Sequence, residues 1–280
     1  MNAPYLAMTV MAFLSACAGA IAFLTAKHFP RWLAISLCLL CVAILLTHAL
    51  YLNDNLLLAQ FFPTANAIVW ANPQLPISAM LAGLAWPILD TPRWQRILLV
   101  TAITALAVYR AESAIIGTPP VVDQPHWNSD VCQQTTLSTC SDAAAATALR
   151  AVGIMTSEKE MAELCLTTVA GTTDLGLYRG LKIKTDSSPY RVQIFIGNVD
   201  EFLRLPPAPS IVSIRLSSHY SSGKTFIPIR PGDRHSIVLL RQLENGRIDI
   251  ADPYTGRHQQ YAPADLQSSW TSTALRLVPR

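Results

Sequence analysis

Cys140 stands where the irregular stretch Gln133-Gln134-Thr135-Thr136-Leu137-Ser138-Thr139 gives way to the helix-forming run Ser141-Asp142-Ala143-Ala144. A thiol at the start of a helix feels the positive end of the helix dipole, which favours the thiolate. The thiolate is the attacking species, so this is a position suited to nucleophilic catalysis. Asp142 in the same first turn favours the helix but opposes ionisation of the thiol. A nucleophile of this kind needs a base and a group that orients the base. His235 heads the apolar run Ser236-Ile237-Val238-Leu239-Leu240, and Asp252 follows the next strand, in Ile250-Ala251-Asp252-Pro253-Tyr254. Asn245-Gly246 between the two runs is a hairpin signal. If that hairpin pairs the two strands, His235 and Asp252 meet at one end of a sheet. The carboxylate can then hold one imidazole nitrogen while the other faces Cys140.

The elements that must position these groups are legible around them. Ser141 to Val152 reads as a helix with Gly153 as its C-terminal stop. Ser157 followed by Glu160 fits a capping box that opens a helix through Leu166. Thr173 or Asp174 can cap a third helix, Leu175 to Lys182. Strands are expected at Arg191 to Ile196, Ile211 to Leu216, Ser236 to Leu240, Arg247 to Ile250 and Leu275 to Val278. Helices followed by an antiparallel sheet make an α+β pattern.

The order of these elements resembles the bacteriocin-processing, double-glycine-leader peptidases, a papain-like family. That family has a Gln six residues before its catalytic Cys, small residues opening a helix, a Gly-Thr pair, a His starting an apolar strand, and an Asp-Pro pair. Gln134, Cys140, Gly171-Thr172, His235 and Asp252-Pro253 stand in that order here. The match covers about Val131 to Gly256. The resemblance implies a cysteine peptidase in which Cys140 attacks a peptide carbonyl, His235 moves the proton and Asp252 orients His235. Gln134 would donate to the oxyanion together with the Cys140 amide. It further implies a peptide or protein substrate, cleaved after small residues, a link to a secretion or export system, and no metal or organic cofactor. Two residues depart from the family pattern: Ser141 replaces a common Gly and Thr139 a common Asp. The sequence contains no nucleotide-binding P-loop of the kind fused to the best-known members; Ser221-Ser222-Gly223-Lys224 lacks the strand–loop–helix context. The same triad could serve a non-proteolytic acyltransferase or amidase, and the same fold could serve as a peptide-binding module.

Composition separates this half from the other. Of 280 residues 51% are hydrophobic and 14% charged, against about 25% charged in soluble domains, and the deficit lies in residues 1–116. A net charge of +3 is too small and dispersed for nucleic-acid binding. Tyr5 to Leu24 and Trp32 to Leu52 are apolar runs long enough to cross a bilayer. Pro76 to Leu89 and Ile97 to Val108 read as third and fourth crossings, with Leu56 to Ala71 interfacial or re-entrant. Met1 to Tyr5 lacks the basic residue that a cleaved signal peptide wants. The expected organisation is therefore a helical transmembrane region of about four helices (1–116), a polar, irregular linker (117–130) and a papain-like α+β domain (131–280). With Lys27, Arg31, Arg93 and Arg96 in cytoplasmic loops, four crossings put the soluble domain on the periplasmic side of a bacterial inner membrane, with membrane lipid around the helices. In that oxidising setting Cys132 and Cys165 are either ordinary thiols or a disulfide that spares Cys140. His219 and His258 read as surface residues without matched partners. Cys17, Cys38, Cys41, His28 and His48 lie in or beside the apolar runs and have no metal-ligand spacing.

Overall fold

A computed structural model describes residues 3–112, 115–123, 126–216 and 232–280. His219 and Ser221 to Lys224 fall outside these described residues. The chain divides into two compact units, Met1–Ile116 and Gly117–Arg280.

The first unit is helical. It contains α1 (Ala3–Ala26), α2 (Arg31–Thr47) continued by a π turn (His48–Leu52), α3 (Leu56–Phe61), α4 (Ala67–Trp70), α5 (Gln74–Ile88) and α6 (Arg93–Glu112). Small side chains let α1 and α5 approach closely: a Cβ on Gly83 would fall on the Gly19 carbonyl oxygen. Close backbone approach through Gly, Ala and Ser is how helices pack where apolar burial offers no driving force. Among the described residues two helices, Pro4–Ala26 and Arg31–Leu52, are long and apolar enough to cross a membrane. The expectation of four is corrected to two. At 15 residues, α5 spans about 22 Å, short of a hydrocarbon core of about 30 Å. The longer α6 carries Arg93, Arg96, Arg110 and Glu112 within its length. Leu56 to Ala71 forms α3 and α4, with Ala59, Ala67, Ile68 and Val69 buried.

The second unit opens with a hairpin, β1 (His126–Asn128) and β2 (Val131–Gln133), where the polarity of the sequence suggests irregular chain. Trp127 earns this order by lying under the Arg150 guanidinium, 4.4 Å from its ring centre, a cation–π contact. Then come α7 (Cys140–Ala151), α8 (Glu158–Cys165) and α9 (Asp174–Thr185). The Ser157 hydroxyl caps α8 by accepting from the Glu160 amide, and Thr173 caps α9 by accepting from the Gly176 amide.

The remaining elements are β3 (Tyr190–Ile196), α10 (Val199–Leu203), β4 (Ser210–Arg215), β5 (Arg234–Gln242), β6 (Ile248–Asp252), β7 (Arg257–Tyr261), α11 (Pro263–Ser269) and β8 (Trp270–Pro279). The strands β3 to β8 form one antiparallel sheet in the order β3-β8-β4-β5-β6-β7. The α+β order expected from the sequence is present. The Asn245-Gly246 turn joins β5 to β6 as expected, with Gly246 at φ +76°, a conformation that glycine adopts without steric cost. Val212, Ile214, Ile237, Leu239, Ile248 and Ile250 pack with Phe202 and Leu266 in one core. The alanines of α7, Ala143 to Ala146 and Ala148, are fully buried, so that the helix lies close against β5. This contact sets the distance between the N-terminus of α7 and the start of β5.

Candidate active site

Cys140 is the first residue of α7 and is partly exposed. His235 is the second residue of β5, and Asp252 the last of β6. The β5–β6 hairpin brings the latter two together: His235 Nε2 lies 2.8 Å from Asp252 Oδ1, with His235 3% exposed and Asp252 fully buried. The bond to Asp252 engages Nε2 of the imidazole, and Cys140 and His235 line the same cleft. Of the three residues that the sequence singled out, the structure joins His235 to Asp252 and places Cys140 on the same cleft as His235.

Asp252 is held from three directions. Besides His235, Oδ1 accepts from the Tyr254 amide at 2.9 Å, and Oδ2 accepts from Gln259 Nε2 at 2.9 Å. Gln259 lies on β7, a strand the sequence reading misses. The Tyr254 ring stands edge-on to the His235 ring, with centroids 6.2 Å apart and planes at 79°. A buried carboxylate with three donors keeps its charge at a cost that the donors offset.

Asp252 in turn helps set the titration of His235. Burial disfavours imidazolium at His235, but Asp252 and Cys140 outweigh it and push the His235 pKa up to about 9. Burial likewise disfavours thiolate at Cys140, yet the hydrogen bond and charge of His235 hold the thiol below its ordinary value. The arrangement therefore favours a thiolate–imidazolium pair. The two other thiols of this unit go the opposite way. Burial, with Glu158 nearby, pushes Cys132 up to about 12. Burial and then Asp142 push Cys165 well above its ordinary value. Of the three, only Cys140 is held below its ordinary value.

No disulfide joins Cys132 and Cys165; both are free thiols. They face different partners. Cys165 lies against Gly180, whereas Cys132 sits in β2, its amide bonded to the Thr147 hydroxyl at 2.9 Å.

Gln134 is nearly buried and immediately follows β2. Its amide nitrogen donates to the Pro253 carbonyl at 2.9 Å, tying it to the turn after Asp252. Its side-chain Nε2 donates one proton to the Thr136 carbonyl at 2.8 Å, leaving a second proton to offer. The loop from Gln134 to Thr139 is fastened by Glu158, whose Oε1 accepts from the Thr135 amide at 2.8 Å and the Thr135 hydroxyl at 3.1 Å. Ser141, where the family commonly has Gly, bonds the Ser236 hydroxyl at 2.8 Å. It thereby pins the first turn of α7 to the strand that carries His235.

Asp142 is fully buried. Burial pushes its carboxyl well above the carboxylate range, against the opposing effect of its Thr167, Cys165 and Thr172 partners. Charge on Cys140 adds to burial in raising Asp142, so the two groups oppose each other's ionisation, as their places in the sequence suggest. A cleft of about 340 Å³ opens onto Cys140, bordered by Leu137, Val169, Gly171, Arg234 and His235. That volume lies within the usual range for ligand sites, about 300–1,000 Å³. His258, which reads from the sequence as having no matched partner, bridges Asp249 and Asp130 at 3.0 Å each.

No protein-family model matches the chain, and no curated protein does. Among solved structures the chain is similar to the peptidase domain of Streptococcus ComA, a bi-functional ABC transporter involved in a quorum-sensing pathway. The identity is 22% and the TM-score 0.40, over 53% of this chain and 96% of that one. It is also similar to a double glycine motif protease from an AMS/PCAT transporter in complex with the leader peptide, at 13% identity and a TM-score of 0.42, covering 58% and 97%. A third is the peptidase domain of Streptococcus mutans ComA, at 19% identity and a TM-score of 0.37, covering 54% and 100%. All three are peptidase domains of the kind that the motif order resembles.

Proposed function

We propose that residues 117–280 form a papain-like cysteine peptidase and that α1 and α2 anchor it to a membrane. The observation that supports this reading is the His235 Nε2–Asp252 Oδ1 contact at 2.8 Å beside a cleft that His235 and Cys140 both line. Cys140 thiolate attacks the carbonyl carbon of a peptide bond, and the developing oxyanion is met by the Cys140 amide and the remaining Gln134 Nε2 proton. His235, protonated at Nδ1, gives that proton to the departing amine, and a thioester joins the substrate to Sγ. Water then attacks the thioester while His235 takes its proton, and the acid and free thiol are released. Asp252 keeps Nε2–H fixed throughout, so Nδ1 always points to Cys140.

The substrate in this reading is a peptide or protein segment cleaved after small residues, delivered in connection with an export system. Lys27 lies between the two long helices and Arg31 opens the second. Their placement on the cytoplasmic side supports an outward-facing peptidase unit, periplasmic in a bacterial inner membrane.

The test compares protein N-termini in membranes from cells carrying wild-type protein and the Cys140→Ala variant. New N-termini that depend on Cys140 and follow small residues are expected. Identical sets of N-termini, with a function that survives Cys140→Ala, would instead indicate a peptide-binding module.

A further inference from the structure

The mechanism above makes no use of Asp142, although it is a fully buried carboxyl two residues from Cys140. Its surroundings identify a task. Oδ1 accepts from the Thr167 hydroxyl at 2.9 Å, and Oδ2 meets the Thr172 hydroxyl at 3.2 Å. The two hydroxyls also touch each other at 2.9 Å. Between them runs a tight turn. The Gly171 amide donates to the Thr168 carbonyl at 2.9 Å, and the Thr168 amide donates to the Gly171 carbonyl at 3.2 Å. The tip of the turn, Val169 and Ala170, is exposed and borders the cleft over Cys140. A single carboxyl two residues after Cys140 therefore grips both feet of a turn that forms one wall of the cleft.

We propose that Asp142 is a positioning residue that sets the distance between Cys140 and the Val169–Gly171 wall, and so the seating of a bound peptide chain. The proposal rests on the peptidase reading in so far as the occupant is a peptide. Asp142 acts through Thr167 and Thr172 and touches no substrate. Thr172 belongs to the Gly-Thr pair whose place in the sequence order is otherwise unexplained. The contact gives it a physical role.

The test uses the full chain in membranes and two reagents that alkylate Cys140. Iodoacetamide is small and reports thiolate reactivity alone. Acetyl-Ala-Gly-Gly chloromethyl ketone must also seat a peptide against the wall. In the Thr167→Val/Thr172→Val variant the iodoacetamide rate should stay within about twofold of wild type. The ketone rate should fall about tenfold or more, as misplacement by about 1 Å costs up to about a hundredfold. Thr172→Ser, which keeps a hydroxyl, should restore the ketone rate. Equal loss of both rates, or an unchanged ketone rate, overturns the proposal. If wild-type Cys140 reacts with iodoacetamide no faster than free cysteine, the peptidase reading fails. The wall is then judged by hydrogen exchange at the Val169 and Gly171 amides. Faster exchange in the double Val variant supports the grip by Asp142, and unchanged exchange overturns it.

Discussion

Asp252 Oδ1 accepts from His235 Nε2 at 2.8 Å while its other oxygen accepts from Gln259 at 2.9 Å, so the base at the candidate site is fixed by a carboxylate that is itself fixed by the neighbouring strand. Positioning and charge are separable in this arrangement. Asp252→Asn keeps an acceptor for Nε2–H but removes the charge that helps raise His235 to about 9. The basic limb of the pH–rate profile, where imidazolium loses its proton, should therefore move to lower pH. Asp252→Ala removes the acceptor as well and should lower kcat by about a hundredfold or more. Gln259→Ala should cost about 1–3 kcal/mol of stability, the usual penalty for unmaking a buried bond to a charged group. Thermal unfolding and the pH profile of cleavage check these outcomes.

Gly180 on α9 sits where any side chain would strike Cys165 Sγ, with the Met161 methyl 3.0 Å away. Gly180→Ala should destabilise the second unit by about 1–3 kcal/mol through overpacking. The Gly180→Ala/Cys165→Ala double variant should recover part of that loss, because the colliding sulfur is gone. Denaturant melts of the two variants measure the recovery; a double variant no more stable than the single one would contradict the packing described here.

His258 clasps β7 to the β1–β2 turn through Asp130 and to β6 through Asp249. Hydrogen bonds from His258 to the two carboxylates raise its pKa above the ordinary 6.5. A raised folded pKa means that the clasp contributes fully below the ordinary imidazole value and is lost as pH rises through the folded one. The difference in melting temperature between wild type and His258→Ala should thus be largest in mildly acidic buffer and shrink at alkaline pH. Exposure of His258 and Asp130 keeps the effect modest and salt-sensitive.

The sequence was most informative where local chemistry and chain order coincide. Cys140 at a helix start, His235 at the head of an apolar strand and the Asn245-Gly246 turn are enough to foresee the meeting of His235 with Asp252. Gln259 could not be foreseen, because β7 is an edge strand whose residues Arg257 to Tyr261 are mostly exposed and show no apolar alternation. The role of Asp142 was hidden for a different reason. Its charge depends on burial, and burial depends on Thr167 and Thr172, which lie 25 and 30 residues away. The membrane half shows the limit of hydropathy. Apolar runs suggested four crossings, but helix length and the charges within α6 leave two helices of sufficient reach.

The central claim is that His235 makes Cys140 a thiolate, and the rate of Cys140 alkylation by iodoacetamide as a function of pH tests it most directly. The wild-type rate should rise with an apparent pKa below the ordinary thiol value of 9.0. In His235→Ala the titration should move up, because burial of Cys140 then acts without an opposing cation. A wild-type titration at or above the ordinary value, unchanged by His235→Ala, would contradict the account.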